Sequence, residues 1–192
     1  MRFASEAEMS SHFRQVFATP ITLEGFKWVD ELEGTFGIPD YVVVRESKER
    51  VLYVVAFELK LRNWRQGLIQ AFRYKNFSNE AFLVLDHAHI TAASENLAQF
   101  VRSNVGLASY NRDGEFHVHW APRPSVPFSN DFSERAVRKF YERTTTSDFS
   151  QFDSIPSLAF SRTARGSGYF QKAIRQINQG GHGSIVFPIQ GL

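Results

Sequence analysis

The spacing of apolar residues along the chain predicts a helix, three strands, a second helix and a fourth strand, in that order. Apolar positions recur at helical spacing in two segments, residues 6–17 and 64–77. Four other segments show the short apolar runs of strands: residues 26–32, 41–44, 51–59 and 81–85. Short loops join the first three strands, so we expect a meander, and the second helix then crosses over to the fourth strand.

Two features of this core bear on its packing. Residues 51–59 are nearly continuous in apolar side chains, which is typical of a strand in the centre of a sheet. In the second helix, Trp64, Leu68 and Phe72, together with Ala71, form the predicted buried stripe. Three shorter elements follow: a helix at residues 92–101 and strands at residues 107–110 and 115–120. The pattern therefore predicts an α/β fold, with a mixed central sheet flanked by helices.

The character of the chain changes after Trp120. Residues 121–127 contain three prolines, and helical spacing then returns at residues 133–143 and 169–178. We accordingly divide the chain into a core at residues 1–120 and a mostly helical C-terminal extension at residues 121–192. No motif in the extension assigns a function to it.

The composition is that of a soluble protein with a substantial core. Hydrophobic residues make up 43% of the 192 residues, and there is no cysteine, which excludes disulfides and fits a reducing cytoplasm. The first residues lack the apolar stretch of an export signal, and the longest apolar runs are too short to cross a bilayer. We therefore expect a cytoplasmic protein without a membrane partner.

Charge is unevenly distributed along the chain. Residues 1–120 carry 13 basic and 15 acidic side chains, whereas residues 121–192 carry 9 basic and 5 acidic ones. The segment that includes the second helix has no acidic residue and five basic ones: Lys60, Arg62, Arg65, Arg73 and Lys75. Such a segment would favour a phosphate backbone, although an ordinary solvated helix face is the alternative.

Candidate catalytic residues stand at the ends of two predicted strands. Asp40 opens the second strand, and Glu58 and Lys60 close the third strand 18 residues later. If these strands pair as a hairpin, the three side chains meet at one end of the sheet, because residues two apart in a strand share a face. Two carboxylates there could hold Mg²⁺ or Mn²⁺, which would polarise a phosphodiester and activate a water molecule. The lysine could orient or deprotonate that water, or stabilise charge on the phosphate.

The same residues also have a purely structural interpretation. Pro-Asp and Glu-x-Lys each occur by chance in many chains, and Glu58 could simply pair with Lys60 at a solvated strand end. The joint pattern favours a functional site, since charged groups at the end of an otherwise buried strand cost stability unless they are paired or bound.

The pair Ile-Pro-Asp40 and Phe-Glu58-Leu-Lys60 resembles the signature of the PD-(D/E)xK nuclease superfamily. The predicted order of elements in residues 5–87 resembles the restriction-endonuclease-like core of that superfamily, written αβββαβ. This resemblance implies catalytic roles for Asp40, Glu58 and Lys60. It also implies a metal ion held by Asp40, Glu58 and the backbone carbonyl of Leu59.

The helices on either side of the motif extend the resemblance. Many members present a glutamate from the first helix, and Glu8 or Glu6 could fill that role here. Gln70 and Tyr74 resemble the Gln-x-x-x-Tyr element of the RecB-like branch, although an ordinary helix surface is the alternative. The residues implied to bind nucleic acid are Arg62, Arg65, Gln70, Arg73 and Tyr74.

The resemblance implies a metal-dependent nuclease, with DNA as the favoured substrate, acting in defence, restriction, repair or mobile-element biology. A catalytically silent nucleic-acid-binding module on the same fold is the alternative, and a protein-interaction domain is a third hypothesis. We expect the extension to pack against the core, or against a second subunit in a homodimer, and to widen a basic surface.

Two histidine pairs offer weaker candidate metal ligands. His87 and His89 flank Ala88, and His117 and His119 flank Val118. Neither pair has an obvious third ligand in the sequence, so we interpret them as solvated strand ends.

Overall fold

A mixed sheet of six strands forms the centre of the structure, a computed structural model that describes residues 2–18, 26–33, 35–46 and 52–144. Helices lie on both faces of this sheet. In chain order, the elements are α1 (Glu6–Phe13), β1 (Phe26–Asp30), β2 (Tyr41–Glu46), β3 (Leu52–Lys60), α2 (Trp64–Tyr74), β4 (Glu80–Asp86), α3 (Thr91–Ser94), α4 (Leu97–Ser103), β5 (Gly106–Tyr110), β6 (Phe116–Trp120) and α5 (Asn130–Thr144).

The strands lie side by side in the order in which they occur in the sequence. The first three strands pair antiparallel, which confirms the predicted meander, and β4 and β5 then add in parallel. The crossover that parallel pairing requires between β3 and β4 is made by α2, as expected. The last strand, β6, pairs antiparallel with β5 and closes the described sheet.

The strand β3 lies in the middle of the sheet and is buried on both faces. Val54 and Ala56 point into the hydrophobic cluster that also contains the inner face of α2, whereas Val55 and Phe57 point into the cluster beneath α1. This two-sided burial explains why the strand reads as a nearly continuous apolar run. It also means that any charged residue near the end of β3 must find partners within the protein.

The first helix begins as predicted and ends earlier than predicted. The Ser5 hydroxyl accepts a hydrogen bond of 3.1 Å from the Glu8 amide, which caps α1. Met9 and Phe13 are buried beneath the sheet. After Phe13 the backbone widens into a π-helical turn, Arg14–Ala18, so that the regular α-helix is shorter than the apolar spacing indicated.

The buried stripe of α2 was predicted correctly except at one position. Trp64, Leu68 and Ala71 are buried, but Phe72 is 43% exposed and its ring contacts that of Phe128. The stripe is centred on the positions that face β3 and β4, and Phe72 falls on the outer side of the helix.

The helix predicted at residues 92–101 is two short helices. The chain turns at Glu95 and Asn96 between α3 and α4. Asn104 adopts a left-handed conformation with φ of 51° and ends α4, as asparagine commonly does at this position.

The described part of the C-terminal region packs onto the core. The amides of Ser125 and Phe128 donate to the carbonyl oxygens of Asn79 and Lys75, at 3.1 and 3.0 Å, which fixes the segment before α5. The helix predicted at residues 133–143 is confirmed as α5. Its inner face joins the same hydrophobic cluster as α2 through Ala136, Val137 and Phe140.

The helix predicted at residues 169–178 lies outside the described residues. None of the described helices has the length and apolarity needed to cross a membrane.

We predict that α5 contributes to the stability of the core. Replacing Phe140 by alanine should lower the free energy of unfolding by about 3–5 kcal/mol, because the ring is fully buried and its removal leaves a cavity. Urea denaturation measures the change. The matched control is Phe128→Ala, whose side chain is 58% exposed and whose loss should cost less than about 1 kcal/mol. Equal effects of the two substitutions would show that α5 is not part of the core.

Candidate active site

The end of the β2–β3 hairpin brings the three motif residues together. Tyr41 pairs with Phe57 across the two antiparallel strands, so Asp40, the residue before Tyr41, stands beside Glu58, the residue after Phe57. The Asp40 carboxylate accepts a hydrogen bond of 2.6 Å from the amide of Leu59. The structure therefore places Asp40, Glu58 and Lys60 at the same end of the sheet, as the sequence predicted.

Glu58 is a buried carboxylate, 2% exposed, held from two sides. The ammonium group of Lys60 lies 2.8 Å from one of its oxygens, and the hydroxyl of Tyr74 donates to the other. The same hydroxyl lies 2.9 Å from the carbonyl oxygen of Ile38, in the loop that leads to Asp40. Tyr74 thus links α2 to both strands of the site.

Two glycines allow this close approach, and neither was singled out from the sequence. Gly37 has a φ of 107°, and a Cβ atom there would lie 2.9 Å from the ring of Tyr74. A Cβ atom at Gly67 would lie 2.5 Å from Leu83 and 3.0 Å from the aliphatic stem of Lys60. An isolated glycine within a helical pattern is the signal that could have indicated close packing at Gly67.

The proximity of two carboxylates changes the acidity of Asp40. Burial, followed by the nearby charge of Glu58, raises the pKa of Asp40 to about 7. The Leu59 amide and the charge of Lys60 oppose this rise only in part. A second negative charge beside Glu58 is therefore unfavourable in this site.

Lys60 and Tyr74 remain proton donors at neutral pH. Burial alone would lower the pKa of Lys60, but its hydrogen bond to Glu58 and the charges of Glu58, Glu6 and Asp40 raise it overall. Burial and the charge of Glu58 raise the pKa of Tyr74, so its phenol stays neutral. Lys60 is therefore placed to orient a group or to stabilise negative charge, and not to remove a proton.

The first helix contributes Glu6 to this cluster. One oxygen of Glu6 lies 3.6 Å from the Lys60 ammonium, and the other accepts a hydrogen bond of 3.3 Å from the Leu61 amide. Glu8 is engaged elsewhere, because its carboxylate accepts from the amide of Ala4 and pairs with Arg112. Of the two glutamates that the sequence left open, the structure brings Glu6 to the site.

The basic segment divides into exposed and buried members. Arg62, Arg65 and Arg73 are exposed, and the guanidinium of Arg65 lies over the buried ring of Trp64 at 4.4 Å. Lys75 is 2% exposed, so the prediction that it belongs to a basic, phosphate-binding segment is wrong. Burial lowers its pKa to about 8, and its ammonium donates to Asn104 and Ser125.

Gln70 occupies the turn of α2 that precedes Tyr74. The side-chain oxygen of Gln70 is buried and, within the described residues, has no hydrogen-bond partner. A buried polar atom without a partner costs free energy, and a bound group that donates a hydrogen bond would relieve that cost. Gln70 and Tyr74 share a helix face, so this oxygen is one turn from the residue that holds Glu58.

The donor set at the site suits a hard divalent cation. In the part of the chain that the structure describes, no three histidine or acidic side chains form a ready-made metal site. Magnesium, however, is commonly held by only one or two carboxylates and keeps several of its waters. Asp40 and Glu58 meet that requirement, and their mutual repulsion is what a cation would relieve. That the backbone carbonyl of Leu59 is a third metal ligand remains a prediction from the sequence.

Comparison of the chain with protein-family models, with curated proteins and with solved structures found no match. Any resemblance to a known family therefore rests on the motif in the sequence.

We predict that Asp40→Asn stabilises the protein in the absence of divalent cations. The folded protein holds a proton on Asp40 up to a pH of about 7, whereas the unfolded chain loses it near pH 4. This group therefore lowers the stability of the wild type as pH rises from about 4 to 7. Asparagine removes that dependence and can still accept from Leu59. The variant should gain about 1–2 kcal/mol at pH 8 and little at pH 5, measured by urea denaturation.

The converse experiment adds Mg²⁺ to both proteins. Magnesium should stabilise the wild type more than the variant, because the variant lacks one charged oxygen ligand. Equal stability of the two proteins at every pH, with and without Mg²⁺, would contradict this description of the site.

Proposed function

We propose that the protein is a metal-dependent nuclease of the PD-(D/E)xK superfamily, with a restriction-endonuclease-like core, that hydrolyses phosphodiester bonds in DNA. The observation that carries the proposal is the meeting of Asp40, Glu58 and Lys60 at one end of β2 and β3. The order of elements from α1 to β4 agrees with the core of that superfamily.

Each residue of the cluster has a role that its chemistry permits. Asp40 and Glu58 would bind Mg²⁺ or Mn²⁺, which supplies Lewis-acid activation of the phosphate and of a water molecule. Lys60 carries a positive charge held by Glu58, and it would stabilise the charge that develops on the phosphate. Tyr74 positions Glu58 by donating to the oxygen that Lys60 does not use.

The outer face of α2 is the proposed contact with the DNA backbone. Arg65 and Arg73 are two helical turns apart and both exposed, and Arg62 is exposed in the turn before the helix. These guanidinium groups carry no close carboxylate partner among the described ion pairs. Arginine in such a position suits a phosphate oxygen, since its planar group donates two hydrogen bonds at once.

The rival function is a module that binds nucleic acid on the same fold without cutting it. The intact charged cluster favours an enzyme, because a binding module has no need of two repelling carboxylates beside a partly buried lysine. Cleavage separates these two functions. A cytoplasmic location, a homodimer and a role in defence, repair or mobile-element biology remain predictions from the sequence.

We predict that Lys60→Ala lowers the rate of DNA cleavage in Mg²⁺ by at least about 100-fold, because the charge on the phosphate loses its partner. The ammonium group is not a metal ligand, so Mg²⁺ binding measured by calorimetry should persist. The matched control is Lys27→Ala, which removes an exposed lysine of β1. Cleavage by Lys60→Ala at the rate of the control would identify Lys60 as a structural charge.

We predict that Arg65 and Arg73 contact phosphates. In the double variant Arg65→Ala/Arg73→Ala, the slope of log binding constant against log salt should fall by ~2, about 0.9 for each lost contact. Fluorescence anisotropy with labelled DNA, in the absence of divalent cations, measures the slope. Arg102→Ala, which removes an exposed arginine of α4, is the control and should leave the slope unchanged. An unchanged slope in the double variant would place the DNA elsewhere.

A further inference from the structure

The outer face of α2 carries apolar side chains between its arginines. Ile69 and Phe72 are both exposed on this face. Arg65 and Arg73 are the residues four positions before and four positions after Ile69, so all of them lie on one side of the helix. Large side chains that are apolar, exposed and adjacent mark a binding surface, whereas single ones do not.

A second exposed ring extends this surface beyond the helix. The ring of Phe128 contacts that of Phe72, with 6.0 Å between the centroids, and its side chain is 58% exposed. The Phe128 amide donates to the carbonyl oxygen of Lys75 at 3.0 Å, and the Lys75 ammonium lies 5.3 Å from the centroid of the ring. Because these contacts already hold the ring, a bound partner loses less free energy in ordering it.

The aromatic surface continues toward the candidate active site. Phe132, four residues after Phe128, contacts the exposed ring of Phe36, with 5.4 Å between the centroids. Ile38, two residues before Asp40, is also exposed. Aromatic rings therefore connect the outer face of α2 with the loop that leads into the site.

The charge of the helix indicates which partner this surface fits. The sequence of α2 has no acidic residue, and Arg62, Arg65 and Arg73 have no close carboxylate among the described ion pairs. A fitting partner is therefore anionic, and it also presents apolar faces to the rings of Phe72 and Phe128. Double-stranded DNA exposes its phosphates but keeps the faces of its bases stacked inside the helix, whereas a single strand exposes both.

We propose that Phe72 and Phe128, together with Arg65 and Arg73, bind single-stranded DNA, including the unpaired arms of branched DNA, in preference to continuous duplex. This inference rests on the proposed nuclease function, and it specifies the form of the substrate. Bases stack on the two rings, and the arginines contact the phosphates beside them. The rings that continue toward Phe36 direct the bound strand to the candidate active site.

The test compares a labelled single-stranded oligonucleotide with the duplex of the same sequence. Fluorescence anisotropy with the full-length chain, in the presence of a chelator, measures binding without cleavage. We expect the single strand to bind at least about tenfold more tightly than the duplex. An oligonucleotide of equal length in which abasic sites replace the bases keeps its phosphates, and it should lose most of this advantage.

Variants decide whether the strand binds at the proposed place. Phe72→Ala and Phe128→Ala should each weaken binding of the single strand at least about fivefold, and Phe72→Tyr should bind as the parent does, because a ring remains to stack on a base. The slope of log binding constant against log salt should be unchanged in Phe72→Ala, since no phosphate contact is lost. The matched control is Val101→Ala, which shortens an exposed apolar side chain of α4 and should leave binding unchanged. Circular dichroism of each variant confirms folding.

The possible results separate this inference from the nuclease proposal. If the duplex binds as tightly as the single strand, or if Phe72→Ala and Phe128→Ala both bind the single strand as the parent does, the inference is overturned and the nuclease proposal is unaffected. If the protein binds neither form of DNA, both are contradicted, and the aromatic surface is then a site for another protein.

Discussion

The burial of the Glu58 carboxylate at the end of an apolar strand is the constraint on which the site depends. A buried carboxylate is costly unless ionic and hydrogen-bonding partners surround it. Lys60, on the same strand, supplies the charge, and Tyr74, on α2, supplies the hydrogen bond. The site therefore depends on the packing of α2 against β3 and β4. It also depends on Gly37, because a side chain at that position would collide with the ring of Tyr74.

The candidate chemistry of the protein gathers at one edge of the sheet. In the parallel part of the sheet, Lys60 of β3 pairs with Leu85 of β4, so the carboxyl ends of both strands meet there. Ligand sites commonly form at the carboxyl ends of parallel strands, because the chain leaves the sheet there and polar groups can face outward. His87 leaves β4 at the same edge.

Local patterns in the sequence predicted most of the elements, and contacts between distant segments decided the rest. The meander, the crossover and the convergence of Asp40 with Glu58 followed from strand pairing alone. The burial of Lys75 did not, because it depends on the segment that precedes α5. The exposure of Phe72 did not either, because the buried stripe of α2 is centred on other positions.

The choice between Glu6 and Glu8 required the position of α1 against β3, which helical spacing cannot give. The histidine pairs were judged separately in the sequence, and their meeting around Ser109 depends on the pairing of β5 with β6.

Metal-dependent cleavage of DNA tests the central claim most directly. Purified protein would be incubated with linear, circular, single-stranded and branched DNA, with Mg²⁺, with Mn²⁺ and with a chelator, beside the Glu58→Gln variant. The account predicts products from at least one of these substrates, formed only when the cation is present and absent with Glu58→Gln. DNA that is bound but never cut under any of these conditions would contradict it, and would favour a silent nucleic-acid-binding module.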